Sequence, residues 1–301
     1  MEKGIQPGSQ AQALSASRST GVGILAMATT AFLWSIAGLF IKVIDWHPFA
    51  IAGFRSLIAS FVVLLYVKRP RIHWSFPQVA ATLFNTATMI LFVIANKTTT
   101  SANAIILQYI APVCTAFLGA WLLKERARVE HWIAITLVTA GIIVMFMDKL
   151  GGGQMLGNIL SLLSGIAFSF YFVFMRMQKD ASPIESILLS HWLTAAIGLG
   201  VTLFLPAPHF TAKAVGAIAV LGVFQIGIAA ILFATAIKRI SAVTANLVGV
   251  IEPVFNPVWV FLALGEEPGS KAIIGGAMII AAVTGASIVN VDRGRTEIIK
   301  R

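Results

Sequence analysis

The chain has 301 residues, 58% of them hydrophobic and 11% charged, with a mean hydropathy of +0.88, a composition that excludes an ordinary soluble domain. Its formal charge of +10 comes from short basic clusters between apolar runs, the pattern that orients membrane proteins, and not from a basic face that binds nucleic acid. Cys114 is the single cysteine, so an intrachain disulfide and any multi-cysteine metal or haem motif are excluded.

Residues 1–19 are rich in Ser, Gln and Ala without an apolar pattern and are expected to form a flexible cytoplasmic tail. The following run is too long for a signal-peptide core and is the first span. Apolar runs bounded by charge, Pro or Gly place spans at 22–44, 48–67, 76–96, 101–123, 130–148, 155–176, 183–205, 214–236, 241–264 and 271–290, each long enough to cross a hydrocarbon core. The predicted fold is an all-α membrane protein of ten transmembrane helices embedded in the lipid bilayer, with a basic cytoplasmic tail at 293–301. Of the 22 Lys and Arg residues, only Lys97, Lys149, Lys213 and Lys271 fall in segments on the outer side if the N-terminus is inside. The positive-inside rule therefore puts both termini in the cytoplasm.

In chain order, the spans carry these candidates. Trp34 lies within the first span, away from the interfacial belt. Arg55, about two turns into the second, is read as a structural arginine on helix-end carbonyls or headgroups, with a substrate-carboxylate anchor as the alternative. Asn85 and Met89, with Phe92 and Asn96, recur at helical spacing in the third span and form a possible cavity wall. The fourth holds Gln108, Tyr109, Thr115 and the kink-forming Pro112. Phe168 and Tyr171 occupy the sixth; an apolar cavity lined by rings suits bulky side chains, while ordinary helix packing is the plainer reading. His191 in the seventh is a proton-carrying candidate or a hydrogen-bonded packing residue. No set of side chains has metal-ligand spacing, and no cofactor motif is present.

The ninth span, 241–264, carries the strongest signal: one carboxylate, Glu252, beside Pro253 and Pro257. An intramembrane carboxylate is a functional candidate. The prolines free carbonyls about one turn upstream, and these must face protein or water because lipid cannot satisfy them. Gly249, Glu252 and Asn256 share one face at i, i+3 and i+7. The plainer reading of Glu252 is a hydrogen-bonded packing residue at a structural kink.

The sequence also repeats. An offset of 141 pairs Phe92 with Phe233, Lys97 with Lys238, Ala104 with Ala245, Pro112 with Pro253 and Glu125 with Glu266. An offset of 134 pairs Gly23 with Gly157, Ser35 with Ser169 and Lys42 with Arg176. The halves are 20–148 and 149–292, five spans each, and an odd number of spans inverts one half relative to the other. Inverted repeats with proline-broken helices at the midplane are the signature of secondary transporters.

The stretches PFAIAGFR at 48–55, TSANAIILQYIAPV with LLKER within 100–126, and IEPVFNPVWVFLALGEEP at 251–268 resemble the drug/metabolite transporter superfamily of EamA type. Within it the chain is similar to the YddG-type exporters of aromatic and other amino acids. The resemblance implies two inverted five-helix halves around a central cavity, a bacterial inner-membrane location and alternating access without ATP. The expected activity is export of a small-molecule substrate, an amino acid, by a monomer. A drug/metabolite or nucleotide-sugar-like exporter of the same fold is the second reading. An intramembrane enzyme is the third, and it lacks a nucleophile, metal set or paired carboxylates at workable spacing.

Overall fold

The computed structural model describes residues 7–99, 101–125, 127–147, 155–264 and 269–299. Among these it is helical throughout, without strands. α1 (Pro7–Trp34) and α2 (Ala37–Val43) form one rod interrupted at Ser35–Ile36. The helix begins at Pro7 instead of near residue 20, because Ala, Gln and Ser tolerate helix and Pro is favoured at its first position. α3 (Pro48–Val67), α4 (Phe76–Thr98), α5 (Ser101–Gln108) and α6 (Ala111–Leu118) follow, and a π-helical turn at Gly119–Leu123 continues α6 before α7 (Val129–Phe146). The second half runs through α8 (Met155–Met177), α9 (Pro183–Thr202), α10 (Ala212–Val220), a π-helical stretch at Leu221–Ile228, and α11 (Ala229–Ile237). It closes with α12 (Ala242–Gly249), α13 (Ile251–Leu264) and α14 (Ser270–Ile299).

Among the described residues, seven helices are long and apolar enough to cross a membrane, and 129–144, 242–255 and 273–289 are shorter apolar helices. Side-chain caps start many of them. Ser75, Thr211 and Ser241 accept from the backbone N–H three residues on, which satisfies donors the helix leaves orphaned. Pro48 and Pro183 occupy first-turn positions where no N–H is needed.

Packing runs between the halves. α4 lies on α8, α3 on α9, α7 on α14, the α5–α6 pair on α8, and α1 on α11, α12 and α13. The α3–α9 crossing depends on Gly53 and Gly198. A Cβ on Gly198 would stand 2.6 Å from the Phe49 carbonyl oxygen and 2.7 Å from Gly53 Cα, so only hydrogen on both allows this approach. Gly23 meets Arg239 and Ile240, while Gly157 meets Thr98 and Thr99: two glycines 134 apart touch residue pairs 141 apart.

Candidate functional site

Two helical rods break at positions 141 residues apart. α5 ends at Gln108 and α6 begins at Ala111, while α12 ends at Gly249 and α13 begins at Ile251. Pro253 has no N–H for the Gly249 carbonyl one turn back. The hydroxyl of Tyr109, from the other break, donates to that carbonyl at 3.3 Å and is 3.1 Å from Glu252 Oε2. The first break thus supplies the donor that the second lacks. In the first rod, Pro112 withholds its donor from the Gln108 carbonyl, and α8 approaches there through Gly165, where a Cβ would be 2.5 Å from that oxygen.

Between the rods lies a cavity of ≈ 60 Å³, room for about four waters. Its apolar wall is built of rings: Trp34, Phe92, Phe168, Tyr171 and Phe233. Trp34 stands 5.5 Å from Phe168 and 5.7 Å from Phe233, and Tyr171 stacks on Phe233 at 5.3 Å. The polar lining is Arg55, Asn85, Thr88, Gln108, His191, Gln225 and Glu252. Gln108 Nε2 donates to Ser164 Oγ at 2.9 Å, and Asn85 Nδ2 to Ser190 Oγ at 2.6 Å. These bonds engage the amide nitrogens, and Asn85 Oδ1 is left without a partner.

Of the residues expected at the site, Trp34, Asn85, Met89, Gln108, Phe168, Tyr171, His191 and Glu252 line this cavity. Three others do not. Thr115 is fully buried and accepts from Asn246 Nδ2 at 2.9 Å, joining α6 to α12. Tyr109 stands behind Glu252 and holds it. Gly249 offers its carbonyl to Tyr109, and a Cβ there would meet Met27 at 3.4 Å. For Thr115 and Gly249 the physical reason is the same: i, i+3 and i+7 share a face only on an unbroken helix, and both rods break between these positions; Tyr109 lies in the break itself, between α5 and α6. The helix runs on through Asn256 and Pro257, so it is Pro253 that sits just after the interruption. The side chains of Asn256 and Pro257 lie outside the described residues.

The lining also contains Thr88, Ile187, Gln225, Ile226, Ala230 and Phe233, which the reading of the sequence passed over as site residues. Gln225 carried a signal, being a lone amide in the run 214–236. The apolar ones carried none, since lining and packing residues share one composition. Arg55 departs from one part of the preferred expectation: it is 1% exposed, lines the cavity and has no route to headgroups, while a backbone carbonyl, that of Met89, is among its contacts.

The model of the EamA-like transporter family, within the drug/metabolite transporter superfamily, matches residues 21–147 and again 155–288. An uncharacterized transporter of Archaeoglobus fulgidus is 25% identical over 262 residues, 87% of this chain and 94% of that protein. The uncharacterized transporter YwfM of Bacillus subtilis is 24% identical, over 77% of this chain and 82% of its own. Solute carrier family 35 member G1 of Mus musculus is 29% identical over 132 residues, 42% of this chain and 36% of its own. A solved crystal structure shares the fold, with a TM-score of 0.74 at 21% identity over 89% of this chain and 96% of its own. With both halves matched by that model, the chain belongs to the EamA-like transporter family, whose members are multi-pass membrane transporters.

Proposed function

We propose that the protein is a secondary transporter that exports amino acids, aromatic and other neutral ones, across the cytoplasmic membrane by alternating access. In this reading ten spans form two inverted five-helix halves, both termini face the cytoplasm, and the monomer is the working unit. The observation that carries it is the cavity at the two broken rods, where a ring-lined wall meets a polar lining that contains both Arg55 and Glu252. Such a surface suits an apolar side chain on a zwitterionic backbone. The inverted arrangement is supported by the packing pairs: exchanging each rod for its counterpart in the other half turns α4 on α8 into α11 on α1, and returns α3 on α9 and α7 on α14 to themselves. The family match to each half supports it further.

The test is counterflow in liposomes preloaded with unlabelled amino acids. Accumulation of chemically unchanged labelled phenylalanine, leucine or threonine is the expected result. Silence for all amino acids with uptake of a drug-like amine or a nucleotide sugar would move the protein to another substrate class of the same fold, and conversion of the label to product would make it an enzyme.

A further inference from the structure

The end of the cavity around Arg55 is built of groups short of partners. The guanidinium is 1% exposed. Its Nη1 donates to Gln225 Oε1 at 3.3 Å, its Nη2 lies 3.4 Å from the Met89 carbonyl and 3.5 Å from the Met89 sulfur, and Nε has no partner. Charge-assisted bonds of a satisfied guanidinium run at about 2.7–2.9 Å, so these contacts hold Arg55 loosely. Among the described residues no carboxylate bonds it. Neither ring nitrogen of His191 makes a hydrogen bond of normal geometry, the Ile226 backbone being the polar group that approaches it, and Asn85 Oδ1 is also unpaired. Arg55, Asn85, His191 and Gln225 all face the one cavity.

The fold goes to some length to assemble this end. Gln225 sits in the π-helical stretch 221–228, and α3 approaches that stretch closely at Gly222, where a Cβ would be 2.5 Å from Ile58 and 3.0 Å from the Arg55 carbonyl oxygen. π-Helical turns inside α-helices frequently mark functional positions. Arg55 is seven residues into α3, about 10 Å along it at 1.5 Å per residue, and with its burial this rules out a headgroup as its partner.

From these observations we infer that the cluster of Arg55, His191 and Gln225 is an anion subsite that takes the carboxylate of the transported solute. The inference deepens the amino-acid reading above and rests on it. A buried cation needs an anion beside it. The planar fork of a guanidinium matches a carboxylate in two parallel bonds, and His191 stands ready as a further donor. Glu252 is on a different element, α13, with Tyr109 as its partner. The cavity therefore holds a cation and a carboxylate that do not neutralise each other, an arrangement complementary to a zwitterion.

The experiment measures binding to the purified full chain by thermal shift and by competition with labelled L-phenylalanine. The competitors are 3-phenylpropionate, which keeps only the carboxylate, phenethylamine, which keeps only the ammonium, and sodium chloride. Expected is competition by 3-phenylpropionate but not by chloride at equal concentration, with Arg55→Gln weakening 3-phenylpropionate at least tenfold and phenethylamine less than twofold. If L-phenylalanine binds and 3-phenylpropionate does not compete, the subsite is wrong while the transport reading stands. If 3-phenylpropionate stabilises the protein but no amino acid crosses liposomes, the subsite stands and that reading fails. Chloride equalling the carboxylate would reduce Arg55 to a counter-ion site and overturn the proposal. The wild-type competition series decides the matter even where Arg55→Gln does not fold.

Discussion

At the scale of single residues, the contact between Tyr109 and Glu252 joins the two broken rods through one hydroxyl. Tyr109→Phe keeps the ring and removes that hydroxyl, leaving the Gly249 carbonyl without its donor, and is expected to cost about 1–2 kcal/mol, read from the unfolding midpoint of the purified protein. Glu252→Gln retains size and hydrogen-bonding capacity but cannot exchange a proton. If Glu252 passes a proton in step with a substrate ammonium, the substitution flattens the pH dependence of initial transport rates over roughly pH 5.5–8.5 without loss of folded protein. An unchanged profile would make Glu252 a packing group at the kink. Gly198→Ala tests packing alone. The added methyl would stand 2.6 Å from the Phe49 carbonyl oxygen, and overpacking of this kind costs about 1–3 kcal/mol, again seen in the midpoint.

At the scale of elements, the break before Pro253 is what points Glu252 into the cavity. Pro253→Ala restores an N–H that reaches back to Gly249 and lets α12 and α13 fuse. The expected outcome is a protein more stable by about 1 kcal/mol that transports more slowly, measured by melting and by initial rates. A second set of contacts ties three elements together at one end of the molecule. Arg176 Nε pairs with Glu125 Oε1 at 2.9 Å, and its Nη1 reaches the Ile237 and Lys238 carbonyls at 2.9 and 3.2 Å. At the opposite end its repeat counterpart Lys42 bonds the Thr99 carbonyl at 3.2 Å, and Lys97 bonds the Ile44 carbonyl. Glu125→Gln should loosen the Arg176 latch by about 0.5–1 kcal/mol, the worth of a partly exposed pair. In a background of Cys114→Ser, a single cysteine replacing Thr88 should then react about two to five times faster with a thiol reagent applied from the side of the latch.

At the scale of the whole molecule, the two halves that the family model matches pack differently in one respect. α1 packs along α14, whereas their counterparts α8 and α7 barely meet, and an apolar groove lined by Tyr109, Ile110, Ile142 and Leu162 separates them. A fold whose halves exchange roles would carry such an asymmetry in any one conformation. Orientation is checked separately: reporter fusions should place both the N- and the C-terminus in the cytoplasm, and a periplasmic C-terminus would contradict ten spans.

Some of this was settled by the sequence alone. Long apolar runs must lie in lipid and be helical there, because hydrocarbon offers backbone groups no partner; the prolines had to free carbonyls, and rods break beside both Pro112 and Pro253. That is why Gln108 and Glu252 are legible in the sequence as cavity residues. What only the tertiary structure decided is which side chain answers which. The break at Tyr109–Ile110 takes Thr115 off the face of Gln108 and hands it to Asn246. The donor for Gly249 comes from a residue 140 positions earlier. The partners of Arg55 were not legible because they lie on other helices: Met89 on α4, and Gln225 on a π-helical stretch that α3 approaches closely at Gly222. Periodicity within one helix carries no information about such pairings, which depend on how helices far apart in sequence cross.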